Sequence, residues 1–321
     1  MTARARLAVA TRALLDPGTG HGDARAAAQA LFDLCCEHSG LDGSPGARAG
    51  DGLRLETGLA ISPLAAARCL LDFARTRAFL RGVAAAIDVA RARFGDPVDV
   101  LYAGSGPFAP LFLPLTTALP GGAARFTLLD AHAQSIQIVR HLARACEAEG
   151  WLAAAEVADA CAWRAPRPPQ VIVAEVMQAG LEREPQLAVT RALGPQLAPG
   201  GVFVPEEVTL SVCLADLSRE FGQSDAPARV MLGDVLRLRP DDPPGAPPPV
   251  RVVVPADAGP PRPLLLLTRV RVFDGIELRA CDSGVTYPRV LGTAERVAPG
   301  ATLEFSYRAG PDPGLDARVV G

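Results

Sequence analysis

Apolar residues recur at helical spacing through residues 23–38 (DARAAAQALFDLCCEH), which predicts an amphipathic helix opened by the capping-type Asp23. The Gly/Ser/Asp-rich stretch 40–52 reads as loop. Helical spacing resumes after Ser62, with Pro63 suited to a first-turn position, and runs on to Phe94. That length predicts two helices divided near Gly82. The pattern then changes to short continuous apolar runs at 98–103 (VDVLYA), 126–130 (FTLLD) and 171–175 (VIVAE), the signature of buried parallel strands. Helical segments at 134–150 and 184–197 follow the second and third runs, so the alternation predicts an α/β fold with a doubly wound, Rossmann-like sheet. Past PGGVFVP (199–205), strand-like runs at 208–217, 264–273, 276–280 and 302–310 are separated by Gly/Pro turns and a Pro-rich stretch at 239–255. They predict a smaller, β-rich and barrel-like domain. The expected division is an N-terminal helical segment over 1–60, a Rossmann-like domain over 61–205 and the β-rich domain over 206–321.

At 321 residues and 49% hydrophobic, the chain can bury a sizeable core. No run of about 18 apolar residues occurs, which argues against a membrane-spanning helix. The opening MTARARLAVATRALLDPG lacks a small-residue cleavage site and reads as a frayed helix rather than a signal peptide. A net charge of −3 argues against nucleic acid held by bulk positive charge. All 32 basic residues are arginine, which fits the Ala/Pro/Gly-rich compositional bias better than any function. The seven cysteines are odd in number with no C-x-x-C spacing, pointing to a reducing cytoplasm, no disulfide framework and no zinc site. With the four histidines all at or before His141, no histidine-based metal centre is expected.

Two features carry candidate chemistry. Gly104-Ser105-Gly106 ends the first strand, and Asp130 ends the next, where a carboxylate can accept hydrogen bonds from ribose hydroxyls. This pair fits NAD, FAD or S-adenosylmethionine, or a purely structural turn. Ala109 stands where a third glycine would grip a pyrophosphate, so S-adenosylmethionine fits better. Glu175 ends the third strand, expected exposed at the sheet rim, and Glu184 follows across a short loop, with Glu182 a competitor for the second position. The residues alone also fit a solvated acidic loop opening a helix.

Taken in order, these segments resemble the protein arginine methyltransferase family, as a divergent, bacterial-type member. The stretch 174–205 (AEVMQAGLEREPQLAVTRALGPQLAPGGVFVP) is similar to the family's double-glutamate loop, helix and Pro-Gly-Gly turn. Glu175 and Glu184 match its two catalytic glutamates, and Met177 its intervening methionine. Upstream, 71–87 (LDFARTRAFLRGVAAAI) resembles its Asp-x-x-Arg-Thr-x-x-Tyr helix. The resemblance implies that Arg75 holds the cofactor carboxylate, with Phe79 replacing the tyrosine in the substrate pocket alongside Met177. It assigns Gly104, Ser105 and Gly106 to the first glycine motif, Asp130 to the ribose and Asp159 to the adenine amino group. Two carboxylates suit a guanidinium, a poor nucleophile while delocalised, because paired charge-assisted hydrogen bonds localise its charge and aim the remaining nitrogen.

The departures fall mainly on the acceptor side. Tyr102 takes a usual acidic position and Phe108 that of a glycine. No Thr-His-Trp loop exists, with Thr286-Tyr287-Pro288 its candidate remnant, and the aromatic N-terminal helix is not recognisable. The expected reaction is therefore methyl transfer from S-adenosylmethionine to a guanidino nitrogen of free arginine or a small arginine-derived metabolite, with peptide arginine open. A non-guanidine N- or O-methyltransferase and a cofactor-binding scaffold without catalysis also remain open. The resemblance implies a homodimer, with residues 222–255 as candidate arm or simple loop. His132 and His141 read as helix surface, Cys35, Cys36, Trp151 and Trp163 as packing, and Arg269 and Arg271 as a solvated sheet face.

Overall fold

The computed structural model describes residues 1–221, 229–292 and 296–320. Helix α1 (Ala3–Leu15) is capped by the Thr2 side chain, which accepts from the Ala5 amide, and it buries Leu7, Ala10 and Leu14. The chain's start is thus a packed helix, not a frayed one. Helix α2 (His21–Ser39) starts from Gly20 without a side-chain cap, and Asp23 lies in its first turn, where a negative charge suits the helix dipole. A two-stranded antiparallel hairpin follows, β1 (Leu53–Leu55) and β2 (Gly58–Ala60), in what reads from sequence as the end of a helical segment. Ser62 caps α3 (Pro63–Arg68) as its position suggests. The chain then breaks at a 3-10 turn, Cys69–Leu71, and Asp72 caps α4 (Phe73–Phe94) by accepting from the Arg75 amide at 3.3 Å. The break therefore lies at residues 69–72. Helix α4 continues through Gly82, where an added Cβ would lie 2.5 Å from Val272 Cγ1, so this glycine serves close packing rather than a kink.

Next come β3 (Val98–Ala103), α5 (Leu115–Ala118), β4 (Ala124–Asp130), α6 (Ala133–Ala145), β5 (Leu152–Val157), β6 (Val171–Ala174), α7 (Gln186–Leu193) and β7 (Val202–Val204). The five strands form a parallel sheet in the order β5-β4-β3-β6-β7. Alternate side chains feed two separate layers. Val100, Tyr102, Leu128 and Val173 join the large core with α4, whereas Leu101, Leu129 and Ile172 pack with Val189 and Leu193 of α7. Covering both faces explains why these strands are near-continuous apolar runs. Strand order reverses around β3, which places a ligand crevice at the carboxyl ends of β3, β4 and β6.

Past Pro205 the chain enters antiparallel structure: β8 (Glu207–Ala215), α8 (Leu217–Glu220), β9 (Arg229–Leu238), β10 (Val250–Val253), β11 (Arg262–Phe273), β12 (Ile276–Leu278), β13 (Arg289–Val290), β14 (Arg296–Val297), β15 (Thr302–Arg308) and β16 (Gly314–Val319). One sheet runs β12-β11-β8-β9, with β13 and β14 on β11, and a second runs β10-β15-β16. Of the candidate arm, 229–238 and 250–253 are strands within these sheets, and 222–228 lie outside the described residues. All seven cysteines are free thiols, with Cys35 buried in α2.

Candidate functional site

The carboxyl ends of the parallel strands open on a cavity with about 790 Å³ of empty space out to its mouth. Gly104, Ser105 and Gly106 after β3, Asp130 after β4, Asp159 after β5 and Glu175 after β6 all line it, with Arg75 from α4 and Glu184 from the loop before α7. Phe79 and Met177 do not. They are 1% and 0% exposed and sit in the main core, so a pocket role for either is corrected to packing.

The glycine turn is built by backbone hydrogen bonds. Gly104 (φ +72°) and Ser105 both donate to the Leu129 carbonyl, at 2.8 and 3.0 Å, and a Cβ on Gly104 would collide with Val176. Gly106 (φ +61°) donates its amide to Asp130 Oδ2 at 2.9 Å, while Oδ1 accepts from the His132 amide at 2.8 Å. Asp130 thus ties the ends of two strands together. Burial raises its pKa, opposed by these backbone donors. Asp159 Oδ1 accepts from the Cys161 amide at 2.9 Å. His132 is not on the helix surface. It precedes the first turn of α6 and lines the cavity, with Nε2 at 3.3 Å from the Ala60 carbonyl oxygen, whereas His141 is exposed as expected.

The carboxylates are drawn further in than the sequence suggests. Glu175 is not an exposed rim residue, because its side chain is only 10% accessible. Its Oε2 accepts from Arg75 Nη2 in a close ion pair, and its Oε1 is buried with no partner among the described residues. Burial pushes the Glu175 pKa up to about 7, with Arg75 opposing the rise. For Arg75, burial pulls downward, yet the charge and hydrogen bond of Glu175 leave the guanidinium pKa raised overall. Glu184 is 6% exposed and faces the same cavity, its pKa raised by burial against the pull of Arg75. Glu182 turns away, accepting from Arg289 Nη2 at 2.7 Å. The acidic loop is therefore not a solvated one.

Its shape is imposed largely from the antiparallel side. Thr268 Oγ1 accepts from the Gly180 amide at 2.8 Å, the Tyr307 hydroxyl donates to the Leu181 carbonyl at 2.7 Å, and the Arg183 amide donates to the Pro313 carbonyl at 2.9 Å. These bonds hold Leu181 (φ +53°) and Arg183 (φ +65°) in left-handed conformations that non-glycine residues seldom adopt. From the other side, Gln186 Oε1 accepts from the Val176 amide and its Nε2 donates to the Ala174 carbonyl, both at 2.9 Å. Asp72 Oδ2 accepts from Ser283 Oγ at 2.7 Å and the Gly284 amide at 2.8 Å. The segment proposed as a Thr-His-Trp remnant thus meets the site through this turn. Thr286 is buried in it and Tyr287 is exposed, and neither lines the cavity.

Sequence reading did not anticipate Cys69, Leu55 or Leu59, which also line the cavity. For the two leucines a signal existed. The stretch LRLETGLAI (53–61) places apolar residues at alternate positions on each side of a short turn ending in Gly58. Cys69 carried none.

No family model and no curated protein matches the sequence. Solved structures do match by shape. An enzyme–prozyme heterotetrameric complex of Trypanosoma brucei PRMT1 with AdoHcy aligns at a TM-score of 0.57 and 13% identity, covering 78% of this chain and 91% of that one. Arabidopsis thaliana protein arginine methyltransferase 10, in an open conformation, aligns at 0.52 and 12% identity, covering 79% and 96%. The likeness establishes the fold: a Rossmann-like parallel sheet joined to a β-barrel-like antiparallel part.

Proposed function

We propose that this chain is an S-adenosylmethionine-dependent N-methyltransferase acting on a guanidino nitrogen, of free arginine or a small arginine-derived metabolite. The observation that carries this reading is the convergence of Glu175 and Glu184 on one cavity, with Glu175 Oε1 buried and without a partner among the described residues. A buried carboxylate oxygen without a donor is costly unless a ligand supplies one. The cavity also suits the cofactor: it has a glycine turn that no side chain could occupy, acidic groups after β4 and β5, and a buried guanidinium. The likeness to a methyltransferase complex with AdoHcy supports the same choice.

Bound there, S-adenosylmethionine supplies an electrophilic methyl group on a positively charged sulfur. Asp130 would accept from vicinal hydroxyls with the lone pairs its backbone donors leave free, and Asp159 would accept from an exocyclic amine. Arg75, already ionised, would neutralise a carboxylate on one side and pulls the Glu175 pKa down against burial on the other. Glu175 and Glu184 would each accept an N–H of the acceptor, which would fix the plane of the cation and leave one nitrogen unclasped to act as the nucleophile. Methylation leaves the acceptor with one proton too many, and Glu175 Oε1, on a carboxyl whose pKa burial raises to about 7, would take it through the N–H it already accepts. The reading extends to a homodimer working in a reducing cytoplasm.

Radiolabelled methyl transfer to L-arginine tests the assignment, with Glu184→Gln as the control. The variant is expected to lose about 10²–10³-fold in kcat/KM while S-adenosylhomocysteine affinity stays within about twofold. Unchanged turnover in Glu184→Gln would remove the guanidine from the mechanism.

A further inference from the structure

One wall of the cavity comes from an unexpected place. Among the described residues none from 206 to 320 lines the cavity, whereas Leu55, Leu59 and Ala60 of the β1–β2 hairpin do. The hairpin is tied to three separate loops of the site. The Leu59 amide donates to the Arg183 carbonyl at 2.7 Å, next to Glu184. Thr57 Oγ1 lies 3.5 Å from Cys161 Sγ, and the Ala60 carbonyl oxygen lies 3.3 Å from His132 Nε2. At the tip, Gly58 (φ +148°) packs so tightly that a Cβ would lie 2.8 Å from Arg183 O and 3.0 Å from Pro185 N.

We propose that this hairpin is the acceptor-selecting wall of the enzyme. Seated on residues 183–185, it admits only a molecule small enough to be wholly enclosed and shuts out arginine carried in a polypeptide. This rests on the reading above for the acceptor's charge but not for its size. A peptide arginine brings backbone in both directions, about 3.3–3.6 Å for each residue, and that backbone must leave the cavity. Leu55 and Leu59 of the hairpin line the cavity that Glu184 faces, and leucine side chains offer no hydrogen bonds to peptide groups losing their water. A two-stranded hairpin is marginal alone, so its three ties set how firmly it closes and its release lets small ligands in and out.

The test is methyl transfer from labelled S-adenosylmethionine to L-arginine, L-lysine and a blocked Gly-Gly-Arg-Gly-Gly peptide, in the wild type, Gly58→Val and Leu59→Ala. We expect the wild type to prefer arginine over peptide by about 100-fold in kcat/KM, and the hairpin variants to narrow that preference about tenfold. Transfer to lysine but not to arginine or the peptide, with selectivity loosened in the variants, would keep the wall and remove the guanidine reading. A peptide used within about tenfold of arginine by the wild type, or a preference unmoved in both variants, would overturn the wall and leave the guanidine reading standing. If no probe is methylated, hydrogen exchange of the Leu59 amide with S-adenosylhomocysteine present decides: protection supports closure, and exchange at the rate of an unstructured chain refutes it.

Discussion

Glu175 and Glu184 owe their chemistry to burial, and burial has opposite consequences for activity and for stability. Both pKa values are raised, that of Glu175 from 4.5 to about 7. The proposed clasp on a cation requires the ionised forms, so kcat/KM should climb as pH rises through about 7 and level off above it. The folded state meanwhile holds more protons than the unfolded one between the two Glu175 values. Its stability contribution from this group therefore falls as pH rises from about 4.5 to about 7. Denaturant titrations at pH 5 and pH 8, set beside a pH–rate profile, should show these opposite trends. Gly104 offers a sharper test at one atom. Its φ of +72° and the collision of any Cβ with Val176 predict that Gly104→Ala loses most S-adenosylhomocysteine binding, measurable by calorimetry.

Among the elements, the loop between β6 and α7 depends on partners far away in the chain. Tyr307 is 7% exposed and its hydroxyl satisfies the Leu181 carbonyl, so Tyr307→Phe leaves that oxygen unpaired. A loss of about 1–3 kcal/mol in stability is expected. Because the same loop carries Glu184, kcat should also fall without a matching change in cofactor affinity, a split that simple destabilisation would not produce. Such dependence explains what was legible in the sequence. The buried runs at 98–103, 126–130 and 171–174 announced themselves, and so did the glycine turn, because local pattern and environment agree there. Strand β5 did not, since LAAAEV is alanine-rich and exposed on much of its length. Gly82 misled for a related reason: glycine can mark a break or a close approach, and only the presence of Val272 across the interface distinguishes them. The seating of β1–β2 on Arg183 is likewise a contact between distant segments, invisible to any local pattern.

Across the whole molecule, the change of sheet near Pro205 does not divide the core. One apolar cluster runs from Leu7 of α1 through Ile87 of α4 and Val100 of β3 to Val270 of β11 and Leu315 of β16. Helix α4 is the hinge-pin of this arrangement: its Asp72 cap is gripped by Ser283 and Gly284, its Arg75 meets Glu175, and its Gly82 lies against Val272. Separating the parallel from the antiparallel part would expose that shared surface and release the loop bearing Glu184, so neither is expected to persist without the other. Urea unfolding should accordingly be a single transition. Trp151 and Trp163 flank β5, so their fluorescence reports on the parallel sheet, and far-ultraviolet circular dichroism reports on the whole chain. The two midpoints should coincide in the wild type. Gly82→Val wedges a side chain between α4 and β11 and should lower both by the equivalent of about 1–3 kcal/mol. A fluorescence midpoint left unchanged while dichroism shows an earlier loss would mean that the parallel sheet stands alone, and that the antiparallel part is an attachment rather than the scaffold of the site.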